Sequence, residues 1–577
     1  MKHTKRMPTK NLQFKLYPTI AFTAVVILLM RAKGDTWDFG DIPDLPDMSN
    51  TVNWDVFCAV KSSAVFLIAI WAAITMGYLL MTGRMKIKKT ILYIPMGLYA
   101  IMVLVSYAMS EYQTIAWKGG VNRYEGTRTI LCYIFLLFYT INVIDHKKEA
   151  MLVVTSVLVS VLIECLIGLT QMAGHDILLS KAGNLLIAGG QTLTGRFESG
   201  SVYQTVYNMN YVGMYLALVV PFLCVIFLEA LKKHRLDKSI AWDKKEKKIL
   251  TGAAVMLVLI ALNVYGADSL GGVVGIAVSV CVLLLLWFDK IPQKVIMAAM
   301  LVIGGVLLFV VVYQKGTDVR KEIDYFETGD DYVELSLDKN VLRLRYDRAD
   351  NGYQLTDSDG NPLQLFFYEG QEGIVQIDDD RFRGKLALIP TQKDENVYVI
   401  FDLGDMQYTF RFTEDGAKYL NPYDREVSLS RIESIGFEGH LIAGTGRAYI
   451  WSRTLPLLKG RLIAGTGADT FALYYPQNDY AGKYTAYFLE PRIIDKPHNM
   501  YLLMAVCTGG ISCIAFLFLA GIYLYQVLRR KEKNIIAIAI AAGIAGFLAA
   551  GLFNDSTVCI MPMFYGLLGV GIALNYE

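Results

Sequence analysis

Twelve stretches of the chain are apolar over about the ~20 residues that a helix needs to cross a bilayer. They lie near 14–31, 57–82, 89–109, 128–145, 151–171, 211–230, 249–266, 269–288, 294–313, 498–526, 534–553 and 556–574. So many apolar helices cannot all be hidden in one water-soluble core. The expected fold is therefore an all-α polytopic membrane protein with about twelve transmembrane helices. Charge agrees: only 19% of residues are charged, against roughly 25% in soluble domains. Lys+Arg at 55 nearly cancel Asp+Glu at 53, which argues against a nucleic-acid partner, since that needs a basic surface. The first stretch follows basic residues as a signal peptide would. Arg31 and Lys33 come after it instead of a small-residue cleavage site, so it reads as a span.

Positive charge sets the expected orientation. Basic residues gather before the first span (Lys2, Lys5, Arg6, Lys10, Lys15) and in alternate connectors: Arg84 to Lys89, Lys147 and Lys148, Lys232 to Lys248, and Arg529 to Lys533. The first opposite connector is acidic, with Asp35, Asp38, Asp41, Asp44, Asp47 and Asp55. Both termini are expected in the cytoplasm and the long connectors outside.

The longest connector, from 314 to 497, is polar. YVELSL, VLRLRY, LQLFFYE, VYVIFDL and MQYTFRF have strand length and β-forming composition, with turn signals at Asp350-Asn351-Gly352, Asp359-Gly360-Asn361 and Gly404-Asp405. Residues 314–440 are expected to form an extracytoplasmic β-rich insertion, with strands over roughly 322–436. Spans one to nine (1–313) precede it; an extracytoplasmic loop (441–497) and spans ten to twelve (498–577) follow.

Chemistry-bearing residues concentrate after the insertion. His498, in DKPHNMYLL, follows Pro497, which presets the first turn of a helix. An imidazole at the outer boundary suits a general base for a sugar hydroxyl, and equally a capping or interfacial histidine. The motif LIAGTG occurs twice, at 441–446 and 462–467. The first copy runs into Arg447 and the helical pattern RAYIWSRTLPLL. Backbone N–H groups of such a turn, with Arg447 beside them, could hold a phosphate or pyrophosphate. An ordinary glycine turn before a helix anchored by Tyr449 and Trp451 reads as well. No Gly-Lys-Ser/Thr follows, so this is not a Walker loop. Arg453, Lys459, Arg461, Arg492 and Lys496 add cations outside, attractive to an anionic lipid-linked substrate. Glu164, in mid-span, is either functional or paired inside the bundle. Acidic runs at Asp357–Asp359 and Asp378–Asp380 read as turns and solvated loops, and no metal site is expected. The eight cysteines all fall in or beside apolar stretches and imply neither disulfides nor zinc.

The order Arg447-x-x-x-Trp451, Gly465-Thr-Gly467-Ala-Asp-Thr-Phe471, Pro476-Gln, then Asp495-Lys-Pro-His498-Asn499-Met-Tyr501 leading into TGGISCIAFL resembles the C-terminal signature of the O-antigen ligase/polymerase superfamily. Upstream, GRFESGSVYQTVYNMNYVGMYLAL is similar to that family's Gly-Arg…Asn-Asn segment, with Asn210 in the asparagine position. The resemblance implies a GT-C-like bacterial membrane glycosyltransferase. Such an enzyme transfers or polymerises glycan from undecaprenyl pyrophosphate onto a glycan, lipid or protein acceptor outside the cytoplasmic membrane. It inverts the anomeric centre without metal or other cofactor. It further implies that His498 activates the acceptor hydroxyl and that Arg447 binds the donor pyrophosphate, with Gly465, Gly467, Asn499 and Asn210 in the binding region. Many members carry Ser-Arg after the seventh span. Here Ala267-Asp268-Ser269-Leu270-Gly271-Gly272 places leucine there, leaving Arg196 and Arg453 as candidates for the second cation. The competing readings are a lipid-linked oligosaccharide flippase or other transporter, and a sensor whose β domain binds a ligand.

Overall fold

A computed structural model describes residues 13–37, 42, 44–45, 52–194, 198–236, 242–288, 323–350, 352–367, 373–393, 396–404, 406–487, 492–530 and 534–576. The chain is mostly helical, with a separate β-rich region. Among the described residues six helices are long and apolar enough to cross a membrane: Cys58–Met81, Lys147–Met172, Met209–Arg235, Lys244–Gly266, Leu270–Trp287 and Gly510–Arg529. Five shorter apolar helices, Gln13–Leu28, Tyr93–Ala108, Thr127–Val143, Ile535–Ala550 and Met561–Asn575, fall on five more of the predicted stretches. The predicted span at 294–313 lies outside the described residues.

Outward faces of these helices carry Leu67, Ile74, Ile94, Val258 and Phe518, all exposed. A belt of large apolar side chains is unfavourable in water and favourable in lipid. Inside, small residues let backbones touch. A Cβ built on Gly546 would lie 2.4 Å from the carbonyl oxygen of Gly275, so Leu270–Trp287 and Ile535–Ala550 cross at backbone contact.

Non-helical backbone at bundle depth must find its partners in protein. The 202–208 segment does so. Glu164 accepts from the Thr205 hydroxyl and, at 3.2 Å, from the Thr205 N–H, while Lys61 Nζ donates to the Thr205 carbonyl at 2.7 Å. Gln171 Oε1 accepts from the N–H groups of Tyr203 and Gln204. Of the two roles open to Glu164 in the sequence, the structure supplies the bundle partner.

The predicted span 498–526 is two helices, Met500–Cys507 and Gly510–Arg529, broken at Thr508-Gly509. Gly509 takes φ +95, and the carbonyl oxygens of Val506 and Cys507 turn away to the 462–467 turn and to Ser106. Apolar pattern alone does not register a break whose flanks are apolar on both sides.

The β-rich region is two antiparallel meanders. One has four strands (Ile323–Thr328, Tyr332–Leu337, Asn340–Asp347, Gly352–Asp357), the other seven, from Leu365–Phe367 to Glu426–Val427. The predicted strands and turns fall here, with Gly360 at φ +82 in its turn. The two sheets share one core around Phe326, Phe401, Tyr408, Phe410 and Tyr419. Tyr480, Ala481 and Tyr484, from the helix Tyr480–Tyr487, enter that same core. The loop after the insertion is thereby fastened to it.

Candidate functional site

His498 and Arg447 meet on one short connector, residues 551–560, between the helices Ile535–Ala550 and Met561–Asn575. Its partners come from three segments. Met500 N–H donates to the Gly551 carbonyl at 2.8 Å. Arg447 Nε donates to the Phe553 carbonyl at 3.2 Å. Asn499 N–H donates to Asp555 Oδ1 at 3.2 Å. Arg123 Nη2 donates to the Ser556 carbonyl at 3.1 Å. A further bond ties the first two directly: Trp451 Nε1, one turn beyond Arg447, donates to the Pro497 carbonyl at 2.8 Å. The Arg447-x-x-x-Trp451 spacing thus places both side chains on one helical face, one reaching the connector and the other the segment that carries His498.

His498 Nδ1 lies 3.3 Å from Asp555 Oδ2, with the ring a quarter exposed and the carboxylate fully buried. His498 takes φ +50, and it stands just before the helix rather than on its first turn. Asn499 is the cap: its Oδ1 accepts from the N–H groups of Tyr501 and Leu502, each at 3.0 Å. Asparagine caps better than histidine because its short carbonyl reaches those orphan donors. With that oxygen on the helix and its N–H on Asp555, Asn499 builds the site.

Asp555 is the residue that sequence reading missed. Burial pushes its carboxyl up, but His498 and the Arg123 and Lys496 cations hold it below the ordinary carboxylate value. It is the lone charged residue between Lys533 and Glu577. That isolation was the available signal. Lys496 is buried, pairs with Asp495 at 3.2 Å and sits 5.5 Å from the Tyr207 ring centre. Burial alone would lower its ammonium; Asp495, the Tyr211 and Tyr207 phenols and Asp555 raise it above the ordinary lysine value. Burial lowers the Arg447 guanidinium, which Asp555 and Tyr487 partly counter.

Beneath the connector, Arg123 Nε donates to Asp469 Oδ1 at 2.8 Å, and Asp469 Oδ2 accepts from the N–H groups of Gly120 and Glu125. Asp469, within Gly465-Thr-Gly467-Ala-Asp, is therefore the post to which the 119–126 loop is tied. Burial pushes the Glu125 carboxyl up to about 7, against Arg123. A cavity of about 30 Å³ lies beside Arg123, Glu125, Asp469 and Ser556.

The remaining predicted residues stand elsewhere. At the second LIAGTG copy, Gly465 N–H donates to the Arg461 carbonyl and Gly467 N–H to the Cys507 carbonyl at 2.8 Å. The first closes its own turn and the second meets the broken helix, so neither is turned to an open phosphate site. Arg453 Nε donates to Asp479 Oδ2 at 2.8 Å, buried under the Tyr449 ring, which commits it to packing the 447–454 helix. The Asn210 carbonyl accepts from Ser269 Oγ at 3.2 Å, and Ser269 caps the helix that begins at Leu270. Gly271 abuts this site, since a Cβ there would lie 2.9 Å from Asn554 Nδ2 and 3.2 Å from Phe553 Cβ. The Leu270 turn and the His498 connector are neighbours. Arg196 lies outside the described residues. No cluster of three or more metal-ligating side chains occurs among the described residues.

The arrangement offers a partly open imidazole backed by a carboxylate, with two cations on the same connector. No known protein family, curated protein or solved structure matches the chain.

Proposed function

We propose that the protein is a membrane glycosyltransferase that moves or polymerises a glycan from an undecaprenyl-pyrophosphate donor onto an extracytoplasmic acceptor. In this reading the chain spans the membrane about twelve times, both termini are cytoplasmic, and the β-rich insertion stands outside. The observation that carries it is the convergence of His498 and Arg447 on the connector around Asp555. Either residue alone would suit packing; a base and a phosphate-binding cation on one short loop suit transfer chemistry.

The step follows from these side chains. With Nδ1 toward Asp555, the His498 ring presents Nε2 to the acceptor hydroxyl. The hydroxyl oxygen attacks the anomeric carbon of the donor as Nε2 takes its proton. The bond from that carbon to the pyrophosphate oxygen breaks, and undecaprenyl pyrophosphate leaves with the electron pair. Attack opposite the leaving group inverts the centre. Asp555 stabilises the imidazolium as it forms. Arg447 meets the charge growing on the pyrophosphate. Lys496, buried within reach of the Asp555 field, serves as the second cation that Leu270 does not supply.

The test is incubation of the purified full chain with a lipid-pyrophosphate glycan and acceptor, reading release of undecaprenyl pyrophosphate. Release that disappears in His498→Ala and Arg447→Ala supports transfer. Translocation of the intact lipid-linked glycan without release would make the protein a carrier and overturn the proposal.

A further inference from the structure

A second cationic pocket lies at the same end of the bundle, lined by residues of the 33–36 strand and the helices 58–81, 93–108, 113–118 and 127–143. It is a half-open cavity of about 450 Å³ bordered by Lys33, Tyr107, Trp117, Lys118, Tyr124 and Arg128, together with Ala59, Ser63, Gln113 and Thr114. Among the described residues three cations line it and no carboxylate does. Two acids stand behind the lining: Asp35 is engaged by Lys118 Nζ at 2.5 Å and accepts from the Tyr124 hydroxyl at 3.4 Å, and Asp55 accepts from the Cys58 and Ala59 N–H groups. Arg128 is poorly satisfied. One nitrogen donates to Ser62 Oγ at 3.3 Å, the guanidinium lies 5.3 Å from the Phe66 ring centre, and its Nε is buried with no partner. Lys33 has no acidic partner among the described residues.

A partly buried guanidinium with an unpaired nitrogen at an apolar boundary is unfavourable unless an anion joins it, and the exposed Lys33 adds positive charge at the mouth. The boundary here is apolar. Leu67 and Ile70 on one flank and Leu104 and Met109 on the other are exposed, and Tyr107 and Trp117 pack at 5.2 Å at the rim, as an interfacial aromatic pair would. A ligand entering from this side has to pass along hydrocarbon-facing helices and end in an anion.

We propose that this pocket binds the phosphate headgroup of a membrane lipid, with Arg128 and Lys33 as the phosphate ligands and the chain lying against Phe66, Tyr107 and Trp117. The site differs from the one around His498. Consecutive residues of the 119–126 loop face the two: Arg123 reaches Ser556 and Asp469, whereas Tyr124 borders the pocket. The inference rests on the membrane location of the helices and not on the transfer reaction.

The test uses the purified full chain in detergent and native mass spectrometry. The probes are phosphatidylglycerol, undecaprenyl phosphate and phosphatidylcholine, each with and without excess inorganic phosphate. Retained phosphatidylglycerol or undecaprenyl phosphate should fall about tenfold or more in the double variant Arg128→Gln/Lys33→Gln, since each basic side chain near a lipid surface contributes severalfold. Arg128→Lys should keep part of the binding, which separates loss of charge from loss of fold, and His498→Ala should bind as the parent does. The phosphatidylglycerol and undecaprenyl phosphate arms identify which lipid is preferred. Equal retention in the double variant, equal retention of phosphatidylcholine, or complete displacement by inorganic phosphate would overturn the proposal. Failure of glycan transfer with lipid retention intact would leave this site standing and remove only the transfer reading.

Discussion

Asp555 Oδ2 stands 3.3 Å from His498 Nδ1, and no part of that carboxylate reaches the surface. A fully buried negative charge beside a partly open imidazole sets the ring's orientation. Asp555→Asn keeps the size and removes the charge. Transfer should slow by about a hundredfold or more, in the range by which positioned acid–base groups accelerate reactions. The loss should fall on kcat, with KM for the donor little changed. An equal loss from both, or none, would remove Asp555 from the chemistry.

Arg447→Lys keeps a positive charge but not the fork that reaches the carbonyls of Phe553 and Gly444 and the Thr445 hydroxyl. Donor KM should rise about tenfold, because a lysine meets pyrophosphate as a point charge and not as a bidentate partner. Steady-state kinetics over donor concentration checks this. A variant with the parental KM would detach Arg447 from the donor.

Glu125 gives the pH dependence. Its folded-state carboxyl is raised to about 7, because burial outweighs the Arg123 charge. A raised acid favours the fold while protonated. That contribution is complete below the ordinary glutamate value of about 4.3 and is lost as pH rises toward about 7. Glu125→Gln can still accept from Tyr133 and carries no charge. It should flatten this slope and leave the variant more stable than the parent at pH 8 by up to about 3 kcal/mol. Thermal unfolding in detergent at pH 5 and pH 8 measures it; parallel curves for the two proteins would contradict the assignment.

Gly467 tests architecture apart from chemistry. It adopts φ +109, and a Cβ there would lie 2.4 Å from Ser110 Oγ and 2.8 Å from Ala116 Cβ. Gly467→Ala should destabilise by about 2–4 kcal/mol through backbone strain and overlap. The yield of folded protein should drop, while the fraction that folds keeps its transfer rate.

Leu270 is half exposed, and the glycine after it touches Phe553 and Asn554. Leu270→Arg should fit without displacing packed neighbours and bring a third cation to the rim of the connector. Inhibition by added pyrophosphate should then strengthen about fivefold, the worth of one exposed charge–charge contact. Unchanged inhibition would separate the Leu270 turn from the donor-binding region.

Much of the architecture was legible because bilayer thickness is a length standard. Any stretch such as 147–172 that hides its own backbone polarity announces itself in composition alone. Strands announced themselves by Val, Tyr and Phe between turn residues, as in Asn396–Asp402 and Gln407–Thr413. The break at Thr508-Gly509 did not, since glycine is common in spans and the signal is a partner, Gly467, far away in the chain. At the site, His498 and Arg447 were legible as residue types beside helix starts. Asp555 had only its isolation in an apolar stretch to mark it and Arg123 had no local pattern; their meaning comes from what the fold places next to them. Asn499 and Gly467 also close helix ends, a role their residue types alone did not disclose.

The acid that faces His498 sits in the turn-back between Ile535–Ala550 and Met561–Asn575. Synthesis runs from the N-terminus, so His498 and Arg447 are made before that carboxylate leaves the ribosome. A nascent chain that ends between the two holds its histidine without this carboxylate. The His498–Asp555 pair therefore forms only once the helix Ile535–Ala550 has been made and placed.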